Sequence, residues 1–209
     1  SALARFAADV AGWTLERDPG AGFAYSNSAY EVLGHVVSAV TGQSFEYRLR
    51  DDVLRPAGMT TSTFALSEVP RDLGARPHLG LPPRVVDGSY PFTRRHAPSS
   101  SLHSSATEMS RWVALHLADG PGLVTRTTRD LMWRPVAEVG WSDWHQSVGL
   151  GWFSGTYRGH RCVGHSGEDP GFQANLALLP DLGMGVCVMA NSNTAPVFGL
   201  TRAALDTLL

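Results

Sequence analysis

Residues 161–191, RCVGHSGEDPGFQANLALLPDLGMGVCVMAN, contain three short apolar runs separated by turn residues. With the stretch before them, they predict strands over residues 150–157, 161–165, 174–179 and 184–191. The last two strands are joined by the tight turn PDLG at residues 180–183. Strands connected by such short turns pair antiparallel, so this part of the chain is predicted to be an antiparallel meander.

The run GVCVMA at residues 185–190 is almost continuously apolar. Such a strand suits a position covered on both faces and flanked by neighbours, whereas a simple meander would leave it at the sheet edge. We therefore expect a missing strand, from upstream sequence or from another subunit, to pair beside it. The alternative is that a helix predicted over residues 195–209 merely covers it.

The N-terminal part is predicted to be mostly helical. Apolar residues recur at helical spacing after Asn27 and stop at Gly42, and Ser28 with Glu31 has the spacing of a capping box. Further helices are predicted over residues 45–54 and 106–118. Between them, residues 69–101 are rich in Pro, Gly, Arg and Ser and predict a long irregular segment that shapes a functional rim.

These patterns predict an α+β fold of the α/β sandwich type, with an antiparallel sheet flanked by helices plus a helical region. Residues 1–148 form the mostly helical region with long loops, and residues 149–209 form the strands and the C-terminal helix. Because the sheet needs a further strand, we expect one structural unit that is completed by a missing N-terminal segment.

The composition is that of a globular protein, with 43% hydrophobic and 17% charged residues and a net charge of -2. No basic patch indicates nucleic-acid binding, and no stretch approaches the about 18 apolar residues of a membrane span. Cys162 and Cys187 lie in separate apolar runs without metal or redox spacing, so we expect two buried thiols and no cofactor. All 17 basic residues are arginine, and the chain has no lysine.

Tyr25 and Asn27 form the first candidate site, on a short loop directly before the first predicted helix. A phenol serves as a general base only if a nearby cation lowers its pKa from about 10. An asparagine can donate to a substrate carbonyl and accept from an ammonium group. The alternative is structural, with Tyr25 a half-buried aromatic and Asn27 an N-cap.

The second candidate site is the segment GHSG at residues 164–167, at the end of a predicted strand. Small residues there let a substrate backbone approach and add to the sheet as an extra strand. The His165 imidazole could donate to a substrate carboxylate or to a leaving group. The alternative is a turn with a solvated histidine.

Two other interpretations of this region are weaker. A G-x-S-x-G nucleophile elbow at Ser166 lacks its last glycine, because Glu168 stands there, and a Pro-Gly pair follows where the elbow needs a helix. A zinc site would need His160, Cys162 and His165, but strand alternation places the third on the opposite face from the first two. No metal is predicted.

Taken in order, these segments resemble the serine β-lactamases, D-Ala-D-Ala peptidases and related esterases, in particular the class C-like branch. That family uses S-x-x-K, then Y-x-N, then K-T-G or H-x-G. The segment PGAGFAYSNSAYEVLG at residues 19–34 is similar to the Y-x-N region, and HSG at 165–167 with PGF at 170–172 looks like the third motif. Residues 104–112, SSATEMSRW, resemble a helix start of the family. The resemblance covers about residues 6–191.

The resemblance implies a β-lactamase/transpeptidase-like fold and acyl-enzyme chemistry on a small-molecule or peptide-like substrate: a β-lactam, a peptide or an ester. Carried over by motif position, Tyr25 is the general base, Asn27 contacts substrate and lysine, and His165 is the counterpart of the third-motif lysine. Substrate binding falls to Ser166, Gly167 and Glu168, the last through its backbone N–H as an oxyanion donor.

One departure bears on activity. The family's nucleophilic serine and its lysine lie upstream of Y-x-N, but only 24 residues precede Tyr25 and lysine is absent. We therefore expect the nucleophile to be missing from this chain and the segment alone to be inactive. The alternative is a catalytically inactive binding or interaction protein of the same fold.

Overall fold

The computed structural model describes residues 1–86, 93–118 and 122–209. Its α-helices are α1 (Ala2–Val10), α2 (Asn27–Thr41), α3 (Phe45–Leu49), α4 (Ala97–Ser100), α5 (Ala106–Leu117), α6 (Arg126–Trp133) and α7 (Val197–Leu208), and a π-helix, Arg50–Leu54, continues α3. The strands are β1 (His78–Leu79), β2 (Arg84–Val85), β3 (Ala137–Ser142), β4 (His145–Val148), β5 (Phe153–Tyr157), β6 (His160–Asp169), β7 (Phe172–Leu179) and β8 (Met184–Ala190). Across those three ranges no helix combines the length and the apolar character needed to span a bilayer.

The described residues fall into two compact units. The first contains residues 1–74 and 93–105, and the second contains residues 75–86, 106–118 and 122–209. The predicted α+β class is confirmed by helices together with antiparallel sheets.

The main sheet of the second unit has the strand order β3-β4-β5-β6-β7-β8, with every neighbouring pair antiparallel. This confirms the predicted meander. The turn between β7 and β8 is a 3-10 turn, Pro180–Leu182, which ends at Gly183 with φ +63°. Strand β6 is longer than predicted, because its pairing with β7 continues to Asp169 opposite Phe172.

Two apolar clusters cover the two faces of this sheet. On one face, Val163 and Leu178 pack with Trp133 and Trp152, and partly buried side chains of α5 join them. On the other face, Cys162, Ala177 and Leu179 pack against Leu205 of α7. The alternation along β6 and β7 thus places each strand between two helical layers. Burying each large apolar side chain contributes about 1.5–3 kcal/mol.

Strand β8 is covered on both faces, since α5 and α7 both pack against it. Among the strands of the described ranges, it pairs only with β7. The predicted helix over residues 195–209 is therefore present as α7, and it covers a face of β8 rather than an edge. The additional strand beside β8 stays a prediction.

Strands β3 and β4 were not predicted, and they begin the sheet at Ala137, before Gly149. The register of β3 against β4 shifts between Glu138 and Ser142, which breaks the alternation of β3. Glu138 pairs with Ser147 and Ser142 pairs with His145, so four residue steps in β3 lie opposite two steps in β4. The sequence predicts a boundary between residues 148 and 149, within one structural unit that an upstream segment completes. This boundary stays a prediction.

The helices of the first unit surround a small core of Leu3, Phe45 and Ala97. Helix α2 ends as predicted, where Gly42 closes it with φ +69°, but it begins at Asn27, earlier than predicted. The predicted capping box is wrong. Ser26 caps α2 by accepting from the Ala29 N–H at 3.1 Å, so Ser28 lies inside the helix.

Residues 69–101 hold more structure than predicted: the β1–β2 hairpin, a 3-10 turn at Arg94–His96, and α4. In the second unit, the His78 N–H donates to the Asn191 carbonyl at 3.1 Å. Pro77 also lies over Gly171, where an added Cβ would come within 2.4 Å of the Pro77 Cβ. Pro77 thus packs against the turn that follows β6. Residues 87–92 lie outside the described ranges.

Candidate active site

Tyr25 and Asn27 are fixed by the start of α2 in the first unit. Ser26, between them, has the extended conformation of an N-cap (φ -146°, ψ 105°), so Asn27 is the first helical residue. The capping role considered for Asn27 therefore belongs to Ser26, which leaves the Asn27 amide to other partners. The Tyr25 side chain is half-exposed, at 50%.

The phenol of Tyr25 is protonated at neutral pH in these surroundings. Burial raises its pKa above the ordinary value of about 10, and the neighbouring Tyr30 raises it further. A general base needs the opposite shift, which a nearby cation produces. Because the chain has no lysine, an ammonium group beside Tyr25 would have to come from residues outside it.

His165 lies within β6 in the second unit, not in a turn at the strand end. Its Nδ1–H donates to the Ser166 carbonyl at 2.7 Å, which makes Nε2 the accepting nitrogen of the neutral ring. Burial lowers its pKa, so the imidazole is neutral at pH 7. It therefore differs from the lysine it was expected to replace, because it brings an acceptor rather than a fixed positive charge.

Ser166, Gly167 and Glu168 continue β6 past the end of its other neighbour. The β5–β6 ladder ends at Phe153 opposite Gly164, whereas the β6–β7 ladder runs on to Asp169. A Cβ added at Gly167 would meet nothing within 4 Å. Beyond Gly164, β5 therefore does not occupy the side of β6 on which an extended ligand backbone could pair.

An aromatic cluster beside His165 was missed in the sequence. The ring centroid of Phe153 lies 5.2 Å from that of His165, 4.8 Å from that of His145 and 5.2 Å from that of Trp141. These side chains come from β3, β4, β5 and β6. The segment WSDWH at residues 141–145 is unusually aromatic, and that composition was the available signal.

The weaker interpretations of this region meet structural objections. Ser166 lies inside an antiparallel strand that continues to Asp169, and a nucleophile elbow needs a turn from strand into helix. Across residues 1–86, 93–118 and 122–209, no group of three or more His, Cys, Asp and Glu side chains could hold a metal ion.

The structure thus brings Tyr25 next to Asn27 in one unit, and groups His165 with Ser166, Gly167 and Glu168 in the other. The convergence of these two groups on one cleft stays a prediction.

Comparison with known proteins identifies the family and the fold. The sequence profile described as Beta-lactamase matches residues 1–209. The chain belongs to this family. The segments that contain Tyr25 and His165 both lie within the matched residues.

Two curated relatives each share 27% identity with this β-lactamase-family chain. One is the human protein named "Putative beta-lactamase-like 1", aligned over 92% of this chain and 38% of the relative. The other is "Penicillin-binding protein 4" of Amycolatopsis lactamdurans, aligned over 94% of this chain and 54% of the relative. The chain spans about half or less of the length of these relatives.

A solved structure agrees with this assignment. The octameric penicillin-binding protein homologue from Pyrococcus abyssi is 27% identical and superposes with a TM-score of 0.85. It covers 98% of this chain, which in turn covers 46% of it. The β-lactamase/penicillin-binding-protein-like fold predicted from the motifs is confirmed.

Proposed function

We propose that this chain is the C-terminal part of a serine hydrolase that cleaves an amide or ester bond through an acyl-enzyme. The observation that carries the proposal is the end of the β5–β6 ladder at Gly164, directly before the H-S-G motif. An extended substrate can pair with the strand segment 166–168 there, with its scissile carbonyl held near small residues. Family membership supports the same chemistry.

Each motif residue has a defined role in this proposal. Tyr25 takes the proton of the attacking hydroxyl, and Asn27 contacts the substrate and an incoming lysine. The neutral His165 accepts a hydrogen bond through Nε2, while Ser166 and Gly167 bind the substrate backbone. The Glu168 N–H is one oxyanion donor. The acyl-enzyme forms on a serine hydroxyl and is then hydrolysed by water.

The nucleophile and its lysine are proposed to lie outside these 209 residues. The absence of lysine supports this, because the family pattern S-x-x-K places a lysine three residues after the nucleophilic serine. Apolar side chains of α2 also face solvent: Leu33 is 54% exposed and Val40 is 82% exposed. An upstream segment that covers them would bury this apolar surface, and pairing with β8 would complete the edge of the sheet.

The substrate is proposed to be a small molecule or a peptide-like compound with an amide or ester group. Strand addition beside β6 suits any substrate with an extended amide backbone, including a peptide or a β-lactam side chain. Esters remain within the proposal, since hydrolysis through a serine needs only an acyl carbonyl.

A second candidate is an inactive binding protein of the same fold, and the sheet position of β8 favours it. A strand covered on both faces, which pairs only with β7 among the described strands, can bind a strand of a partner or of another subunit. This candidate predicts ligand binding without turnover, even in the presence of every upstream residue.

The decisive experiment uses the complete protein, with any upstream sequence included. A fluorophosphonate should label one serine, and peptide mass spectrometry should place it outside residues 1–209. Hydrolysis of an activated ester should fall about 10²–10⁴-fold in Tyr25→Phe, because a general base is lost. Tyr47→Phe is the matched control, since Tyr47 has similar exposure, 47% against 50%, and should keep full activity.

The outcomes separate the candidates. Labelling of Ser166 would show that the nucleophile is misassigned. Ligand binding with neither label nor turnover would favour the inactive binding protein. The convergence of the two motifs is tested independently by short bifunctional cross-linkers between Asn27→Cys and Gly167→Cys, in a background without Cys162 and Cys187. If no short linker joins the two cysteines, the two motifs do not converge on one cleft.

A further inference from the structure

Trp141 is a large aromatic residue that stays exposed at the edge of the main sheet. Its side chain is 56% exposed, although its ring lies 5.2 Å from that of Phe153 with an interplanar angle of 38°. One face of the indole is therefore supported by a ring, and much of the rest is open to solvent. Exposure of a supported indole leaves apolar surface that a ligand can bury.

The backbone of β3 places Trp141 in this position. Gly140 has φ +67°, and the register of β3 against β4 shifts between Glu138 and Ser142. A bulge of this kind changes the direction of the following side chain and is common next to binding sites. Glycine takes the left-handed conformation without the penalty that a Cβ would add.

Phe153 connects the indole to the proposed site. It is only 3% exposed, and it lies opposite Gly164, the residue before His165. The Phe153 ring contacts the His165 ring at 5.2 Å, the same separation as to Trp141. Two ring-to-ring steps therefore separate the exposed indole from the imidazole. An acyl side group of a substrate bound beside β6 can span such a distance.

The surroundings favour an uncharged group. The Phe153 ring contacts two imidazoles, His145 and His165, and burial lowers the pKa of both. Neither ring carries a positive charge at neutral pH, so this cluster provides no cation to bind a substrate carboxylate. Trp141 and Phe153 add only apolar and π surface.

We propose that Trp141, supported by Phe153, binds an aromatic or bulky apolar acyl group of an uncharged ester or amide substrate. This rests on the proposed hydrolase function and defines its substrate class. Trp141 is a specificity-determining residue in this scheme. The serine hydroxyl displaces the alcohol of the ester or the amine of the amide to form the acyl-enzyme, and water then cleaves the acyl–serine bond, releasing the acid and restoring the serine.

The test compares two vinyl esters with the complete protein, because the leaving group is then small and identical. Vinyl acetate and vinyl 3-phenylpropanoate are hydrolysed to the carboxylic acid and acetaldehyde, and the released acid is followed by pH-stat. Trp141→Ala should lower kcat/KM for the phenylpropanoate about three- to tenfold and leave the acetate unchanged. Trp141→Phe should restore most of the loss, because it keeps an aromatic surface.

Val136→Ala is the control for removing an exposed apolar side chain, since Val136 is 62% exposed and precedes β3. It should change neither ester. An unchanged ratio of the two kcat/KM values in Trp141→Ala would overturn the role of Trp141 while leaving the hydrolase intact. A wild-type protein that hydrolyses neither ester would overturn the proposed function, and the role of Trp141 with it.

Discussion

Ser99 donates a hydrogen bond to Glu31 across 68 positions of sequence, with 2.5 Å between Ser99 Oγ and Glu31 Oε1. Glu31 is completely buried, and His96 Nδ1 lies 3.2 Å from the same oxygen. The contact joins the N-terminal part of α2, the helix that positions Tyr25 and Asn27, to α4. A buried carboxyl group depends strongly on such donors.

Removal of this donor should destabilise the first unit. We expect Ser99→Ala to lower the free energy of unfolding by about 1–3 kcal/mol, because the buried Glu31 oxygen loses a hydrogen bond. Urea denaturation measures the change. Ser67→Ala, at an exposed serine in the same unit, should have little effect, and equal midpoints for the two variants would contradict the prediction.

Replacing each of two helical glycines with alanine should change the stability of the protein in opposite directions. A Cβ at Gly34 would come within 2.3 Å of Pro98 Cγ, whereas a Cβ at Gly199 finds its nearest atom, Pro196 Cβ, at 3.8 Å. Gly34→Ala should therefore destabilise by about 1–3 kcal/mol through overpacking of a rigid ring. Gly199→Ala should stabilise by up to about 1 kcal/mol, because alanine is the better helix former. Thermal unfolding of both variants gives the two signs.

The stability of the protein should fall as the pH drops below about 6.5. Burial lowers the pKa of His116, and the nearby Arg129 lowers it further. The unfolded chain then binds more protons than the folded one, so the stabilising contribution is present above the unfolded pKa of about 6.5 and is lost toward the folded pKa. Each such group changes the free energy of unfolding by at most about 1.4 kcal/mol per pH unit.

His116→Gln isolates this contribution. The free energy of unfolding, measured from pH 7.5 to pH 5, should depend less steeply on pH in the variant than in the wild type. The comparison uses slopes, so a constant loss of stability from the missing Nδ1–H bond to the Trp112 carbonyl does not affect it. Identical slopes would show that His116 titrates alike in both states.

Both cysteines should be inert in the folded protein. Burial raises the pKa of each thiol, Cys162 and Cys187, to about 11, so almost no thiolate exists at pH 8. Iodoacetamide at pH 8 should modify neither residue until denaturant unfolds the chain, when both react. Mass spectrometry of the intact protein counts the adducts, and rapid modification of the native protein would contradict the assignment.

Local sequence signals predicted the elements whose pattern is unbroken. Helix α2 follows from its apolar spacing and Gly42, and the strands β7 and β8 follow from apolar runs around a glycine turn. The capping box failed because it used only local spacing. Glu31 is engaged by Ser99, a residue far along the chain, so the local pattern did not determine its role.

Strands β3 and β4 were missed for a related reason. The bulge at Gly140 interrupts the alternation that marks a strand, and polar residues such as Ser142 and Gln146 weaken the apolar signal. The candidate site was predicted through its motifs, but the aromatic contacts of His165 were not. They arise from pairing among four strands, which only the folded sheet defines.

The covering of β8 by α5 and α7 bears on how these 209 residues behave when prepared alone. The two helices cover the two faces of β8. The backbone N–H and C=O groups at the edge of a strand point in the plane of the sheet, where a helix on either face does not cover them. An apolar strand with β7 as its one partner strand in the described ranges is a template for edge-to-edge growth. Recombinant material should consequently polymerise with rising concentration, and co-expression with the proposed upstream segment should keep it dispersed.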